Sequence, residues 1–261
     1  MPRSTTEMRA IKMPHLPEGR VGLLALGERY ASMLAAPLAA LGIEPLWLPE
    51  LEGVDKRIAS HADLALLHLG GGRLVAARGS NIVKCLTNRG FKVFTSDNAP
   101  SEGYPTDCIL CGCVAGNCFI HNTAITDTAA LRLLASSDTD ININIDVINV
   151  SQGYAKCAVC VVDEHSIITS DAGIEKAAAA HGMETLLISQ GFVELAGFEY
   201  GFLGGASFKL SRGVLAFTGR LEAHPDKARI IAFLRERHIE AVYLTDRPLF
   251  DIGSAIPLLE A

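Results

Sequence analysis

The stretch Lys156-Cys157-Ala158-Val159-Cys160-Val161-Val162-Asp163-Glu164-His165-Ser166-Ile167-Ile168-Thr169-Ser170-Asp171 holds two apolar runs separated by a polar tripeptide and ends on a helix-capping signal. Runs this short, rich in valine and isoleucine and broken by such a turn, read as a β-hairpin. Asp171 then opens a predicted helix over 171–180, because a carboxylate at that position accepts from the free N–H groups of the first turn. His181-Gly182-Met183-Glu184 stops the helix, its glycine supplying a left-handed C-cap, and Thr185-Leu186-Leu187-Ile188 follows as a third strand. The unit is strand, turn, strand, helix, strand.

The same unit recurs in both directions. Hairpin turns are expected at Gly70-Gly71-Gly72, Ala115-Gly116-Asn117 and Ser211-Arg212-Gly213, and further helices over 28–41, 80–88, 126–135 and 225–237. Their exits repeat the stop signal in Leu41-Gly42-Ile43-Glu44, Arg89-Gly90-Phe91-Lys92 and Arg237-His238-Ile239-Glu240. Aligning the hairpins puts Asp63, Asp107, Lys156, Phe202 and Asp251 at equivalent strand starts, about 44–49 residues apart, which is a repeat-protein period. After an N-terminal arm over residues 1–19, the chain supplies a lone strand, a helix and a strand, and it ends on a single strand over 250–259. Pairing that last strand with residues 20–26 completes a fifth unit. The expected fold is α/β: a five-fold pseudo-symmetric β/α-propeller of ββαβ units, one domain over residues 20–261, closed by pairing of its N- and C-terminal strands so that no edge is left open. An open doubly wound sheet with the same period is the competing reading.

Composition narrows the function. Of the 261 residues 49% are hydrophobic, enough for a large core, yet no apolar run approaches the roughly 20 residues of a membrane span. The arm lacks the apolar stretch of a secretion signal, so a cytoplasmic location is expected. A net charge of −6 with no cluster of lysine and arginine argues against direct nucleic-acid binding. Seven cysteines, an odd number, point to reduced thiols rather than a disulfide framework. A small-molecule ligand in a central channel is the expected partner; no cofactor is implied, and homo-oligomerisation is left open.

Gln152-Gly153-Tyr154-Ala155-Lys156-Cys157 through Ile167-Ile168-Thr169-Ser170-Asp171, with Gly204-Gly205-Ala206-Ser207 and Asp251-Ile252-Gly253-Ser254, resembles a bacterial branch of unknown function of the pentein, or guanidino-group modifying enzyme, fold. The resemblance covers the chain from about Asp63 onward. It implies a cysteine nucleophile in the last repeat, a histidine and paired acids around a central channel, as in arginine deiminases, dimethylarginine hydrolases and amidinotransferases. The fold also hosts a ribosome anti-association factor without such chemistry. This chain departs from the pattern twice: no cysteine follows Cys160, leaving Ser254 nearest the nucleophile position, and Gly204-Gly205 is followed by Ala206, which cannot pair with a cation.

Candidate site residues follow from the repeat. Converging strand starts would crowd Asp63, Asp107 and Asp251 around the ammonium of Lys156, an arrangement suited to a cationic ligand or to acid–base work. The alternative is that charged residues merely begin solvated strands. His68 is the histidine of a predicted first strand and a candidate base, if a bulge near Gly70 turns it toward Asp63. The thiols of Cys157 and Cys160, beside Lys156, are candidates for a nucleophile moved from the fifth repeat to the third. Cys108-x-x-Cys111 and Cys157-x-x-Cys160 have zinc-like spacing, but on strands residues three apart face opposite ways, so no metal is assigned; a mixed site using Cys111 and Cys113 stays open, as does plain packing of small cysteines. Two functions remain. One is a thiol-dependent hydrolase or transferase acting on a small amidine, amide or amine, with catalytic Cys157, Cys160, His68 and Asp63 and with Asp107, Lys156, Asp251 and Ser254 binding substrate. The other is a non-catalytic binding protein of the same fold.

Overall fold

The computed structural model describes residues 7–136 and 145–261, so the first six residues of the expected arm lie outside the described residues. A short β1 (Arg9–Ala10) is followed by β2 (Val21–Gly27), α1 (Ala31–Ala40) and β3 (Glu44–Leu48). The next unit runs α2 (Ala62–Ala65), β4 (Leu66–Gly70), β5 (Arg73–Ala76), α3 (Val83–Asn88) and β6 (Lys92–Thr95). Another comprises β7 (Cys113–Ala115), β8 (Cys118–His121), α4 (Thr128–Ala135) and β9 (Asp146–Asn149). Then come α5 (Ala155–Ala158), β10 (Val159–Val161), β11 (Ser166–Thr169), α6 (Ala172–Ala180) and β12 (Glu184–Leu187). The last full unit is β13 (Ser207–Ser211), β14 (Val214–Phe217), α7 (Lys227–Glu236) and β15 (Glu240–Tyr243), and β16 (Ile256–Glu260) ends the chain.

These strands form five small sheets among the described residues, not one continuous sheet. In each full unit the first two strands are an antiparallel hairpin and the helix returns the third parallel to the second, as with Val159 opposite Thr169 and Ile167 opposite Thr185. The fifth sheet, ordered β1-β16-β2-β3, joins the two ends of the chain: Ile256 lies opposite Ala25, antiparallel. The terminal pairing expected from sequence is thus present, although only Ile256–Glu260 of the expected 250–259 is strand. Arg9 and Ala10 of the arm pair with β16 on this sheet, while Leu16 packs against the apolar cluster that includes Val161 and Ile167 of another unit. Ile11 is buried, and Glu260, itself buried, accepts from Arg9 Nε at 3.1 Å and from the Gly19 N–H at 2.8 Å.

Local chemistry places the helices. The Asp171 carboxylate caps α6 by accepting from the N–H groups of Gly173 and Ile174, and Asp127 caps α4 through Ala129. Residues 28–30 form a 3₁₀ turn rather than the start of α1, and α3 and α7 begin later than the apolar period suggests. Gly42, Gly90 and Gly182 end their helices in the left-handed region, and His238, at φ 56°, takes the same conformation without the freedom of a glycine.

Buried apolar side chains fall into five clusters, each joining one unit to the next. Leu67 and Val75 pack with Val114 and Phe119; Ile120 with Val159; Ile168 with Leu215 and Phe217; Phe208 and Ala216 with Leu24 and Leu34; Leu23 and Ile256 with Leu66 and Leu74. Polar contacts also link the units. The Lys156 N–H donates to the Cys111 carbonyl, Gly205 to Cys157, Ile252 to Gly205 and Asp63 to Gly253, while the Cys111 thiol donates to the Asp63 carbonyl.

The expected strand starts need correcting here. Asp63 and Lys156 lie on the single-turn helices α2 and α5, while Asp107, Phe202 and Asp251 occupy non-strand segments. Cys157 is likewise on α5 and Cys108 and Cys111 are in turns, so only Cys160 of the two spaced pairs is on a strand. The physical reason is that backbone groups ahead of these strands, such as the N–H groups of Asp63 and Lys156, bond across to a neighbouring unit rather than to a ladder partner, so the segments turn instead of extending.

Candidate functional site

The two single-turn helices α2 and α5 bring together side chains from opposite halves of the chain. The Cys157 thiol donates to Asp63 Oδ2 at 2.9 Å and lies 3.9 Å from Asp251 Oδ1. Ser254 Oγ sits 3.5 Å from the same Asp63 Oδ2 and accepts from Lys156 Nζ at 3.2 Å; the ammonium also donates to the Gly204 carbonyl at 3.3 Å. Asp63, Lys156, Cys157, Asp251 and Ser254, five of the residues singled out from sequence, therefore form one buried network. Ser254 holds φ at 70°, a conformation that β-carbon crowding disfavours and that surrounding structure must impose.

Glycines make room for this network. A β-carbon on Gly205 would fall 1.9 Å from Asp251 Oδ1, and one on Gly204 would collide with the Cys157 carbonyl at 2.6 Å. The Gly204-Gly205 pair thus serves the Asp251 carboxylate and the α5 backbone. Asp251 is held at both oxygens, Oδ1 accepting from the Gly253 N–H at 2.8 Å and Oδ2 from Phe202 at 2.9 Å.

Cys157 also faces a cavity of about 320 Å³ whose walls include His61, Tyr154, Phe198, Tyr200 and Phe202, with Glu199 among its polar groups. His61 is buried against Gly253, and among the described residues its Nε2 has no hydrogen-bond partner; neither does Asp63 Oδ1. Ligand atoms of His61, Asp63 and Cys157 lie within 4.8 Å of one another. No local sequence signal distinguished His61, the extended N-cap residue of α2; only its place two residues before Asp63 could have drawn notice.

Electrostatics set the resting protonation. Burial pushes the Cys157 thiol well above its ordinary value, and the carboxylates of Asp251 and Asp63 push it the same way. Burial also raises Asp63, opposed by His61, by the Cys157 hydrogen bond and by Lys156. Both shifts favour the protonated forms, and the Cys157 thiol hydrogen-bonds to Asp63 Oδ2.

Three predicted site residues lie apart from this network. Asp107 accepts from Tyr154 Oη at 2.5 Å and so orients a cavity wall, with its Oδ1 unpartnered. His68 is fully buried on β4 with neither ring nitrogen bonded among the described residues, and burial lowers it to about 4. Burial, Lys156 and His68 together hold His15 well below its ordinary value. Cys160 packs in the apolar cluster with Val162 and Leu203 beside Ser207, and burial raises its thiol.

The mixed α/β architecture, with its seven helices and five small sheets among the described residues, is that of the pentein fold. Inosamine-phosphate amidinotransferase from Streptomyces griseus is similar over 96% of this chain and 97% of its own, with TM-score 0.56 and 9% identity. Agmatine deiminase from C. jejuni, with substrate bound, is similar over 100% and 99%, with TM-score 0.55 and 9% identity. A dimethylarginine dimethylaminohydrolase adduct with 4-chloro-2-hydroxymethylpyridine is similar over 87% and 92%, with TM-score 0.52 and 11% identity. At such identities the likeness is one of fold. No curated protein matches the chain in sequence. Residues 25–256 match DUF6873, a family of unknown function, and the chain belongs to that family. Among the described residues no helix is long and apolar enough to cross a membrane.

Proposed function

We propose that this protein is a thiol-dependent hydrolase or transferase that acts on a small amidine, amide or amine-bearing molecule, with Cys157 as nucleophile, inside a closed five-unit β/α-propeller. The observation that carries the reading is the 2.9 Å Cys157–Asp63 hydrogen bond beside an aromatic-walled cavity shared with His61. Aromatic faces and nearby carboxylates favour a cation, and Tyr154, Phe198, Tyr200 and Phe202 offer such faces.

A cationic substrate answers the problem of the raised thiol. Its charge, set against Asp63 and Asp251, offsets the repulsion that keeps the sulfur protonated. The S–H proton passes to Asp63 Oδ2 as the sulfur bonds to the amidine or carbonyl carbon. The carbon–nitrogen bond then breaks, and the departing amine takes that proton. Water deprotonated by His61 attacks the carbon held on sulfur, the carbon–sulfur bond breaks, and the sulfur recovers its proton from the imidazole. In a transferase an amine replaces the water. Asp251, fixed by two backbone N–H groups, supplies charge at a set position, Lys156 and Ser254 steady Asp63, and Asp107 steadies Tyr154.

Incubation with 2-chloroacetamidine or iodoacetamide followed by peptide mass analysis tests this. A stoichiometric adduct on Cys157, with ammonia or amine release from at least one member of an amidine and amide panel lost in Cys157→Ala, is the expected result. If Cys157 stays unmodified at alkaline pH and no panel member is turned over, the thiol mechanism is wrong and the protein is a binder of the same fold.

A further inference from the structure

We propose that His61, Asp63 and Cys157 form a three-ligand site for zinc or a similarly thiophilic divalent metal, and that the metal, once bound, takes the Cys157 sulfur out of nucleophilic chemistry. The metal site stands on geometry alone; the block on catalysis rests on the reading of Cys157 as nucleophile.

The donor set is one imidazole nitrogen, one carboxylate oxygen and one sulfur, all buried and within 4.8 Å of one another. Zinc bonds of about 2.0–2.3 Å in tetrahedral geometry separate neighbouring ligand atoms by about 3.3–3.8 Å, so small side-chain adjustments suffice. Sγ and Oδ2 at 2.9 Å share a proton now and would open slightly to share a metal. Sulfur and imidazole select against magnesium and calcium, which take oxygen ligands.

Two further observations point to a ligand here. His61 Nε2 and Asp63 Oδ1 are buried with no hydrogen-bond partner among the described residues, although each such atom normally finds one. Coordination would engage the imidazole and the carboxylate together. The charge also fits. Two carboxylates, Asp63 and Asp251, and a thiol lie around the site, against the single ammonium of Lys156 within the network. A divalent cation displacing the thiol proton to solvent compensates that excess, while Asp251, its oxygens tied to backbone N–H groups, adds charge without leaving its place. His61 and Cys157 border the cavity, so the fourth coordination position falls to water or a small ligand there.

The test uses the full chain after chelator treatment. Titration with cobalt(II) should saturate at one equivalent, with near-ultraviolet sulfur-to-metal absorption that disappears in Cys157→Ser, and zinc should displace the cobalt. His61→Ala and Asp63→Asn should weaken binding at least about tenfold, with circular dichroism verifying the fold. Peptide-level labelling with iodoacetamide supplies a readout in the wild-type chain: one equivalent of zinc should protect Cys157 but not the exposed Cys85. Absence of stoichiometric cobalt binding, or equal protection of Cys85 and Cys157, overturns the metal site. Saturable cobalt binding with a Cys157 that never alkylates keeps the site and overturns the thiol reading instead, so the two failures are distinct.

Discussion

Cys157 and Asp63, 94 positions apart in the chain, meet through a 2.9 Å hydrogen bond from Sγ to Oδ2. The carboxylate both accepts the thiol proton and raises the cost of losing it. Replacing it by an amide separates the two effects. Asp63→Asn is expected to speed alkylation of Cys157 at neutral pH by roughly threefold to tenfold, because a thiolate no longer faces that charge, while abolishing turnover. Second-order labelling rates across pH check it; a slower rate in the variant would contradict the assignment.

Gly253 is the contact that seats His61. Its φ is 66°, and an added β-carbon would lie 2.0 Å from His61 Cβ and Cγ. Gly253→Ala should cost roughly 1–3 kcal/mol in urea unfolding and should also displace the imidazole, lowering turnover and metal affinity together. A variant that loses stability alone would remove His61 from the site.

Ser254 carries both strain and a hydrogen bond, which two substitutions divide. Ser254→Gly relaxes the left-handed backbone and offsets the lost hydroxyl contacts, so its stability should equal or exceed the parent's by up to about 1 kcal/mol. Ser254→Ala keeps the strain and leaves the Lys156 ammonium short of an acceptor, so it should be destabilised by about 1–2 kcal/mol. Thermal or urea melts of the pair give the comparison, and the reverse order would mean that φ at this position is not a source of strain.

His68 makes stability depend on pH. Its folded value of about 4 lies below the ordinary 6.5, so between these values the unfolded chain binds the proton and the folded chain does not. Stability therefore rises with pH through this window and is lost on acidification. His68→Leu removes one such proton and two unpartnered buried nitrogens, and it should help more at pH 5 than at pH 7.5, by about 2 kcal/mol. Equal effects at the two pH values would show that His68 is solvated in the folded state.

Much of the fold was legible because its signals are local. Hairpin turns such as Asp163-Glu164-His165, the Asp171 cap and the Gly182 exit act on residues a few positions away, and the chain repeats them. The site was legible in part. Asp63, Lys156, Cys157, Asp251 and Ser254 were drawn together by the repeat, although the segments bearing most of them are turns and single helical turns rather than strand starts. Asp107, His68 and Cys160 were also drawn in, and burial and pairing put them elsewhere. His61 carried no pattern at all.

The repeating unit, its turns and caps, and the pairing of the two chain ends are written into the sequence, because each depends on backbone chemistry within a short stretch or on a period that leaves one strand without partners. Which side chains lie together is set by packing between distant segments. Asp63 and Cys157 belong to different units, Asp251 to the chain's end, and His61 reaches them because Gly253 has no side chain. Those distances are fixed by how five units pack on one another, and no local interaction encodes them.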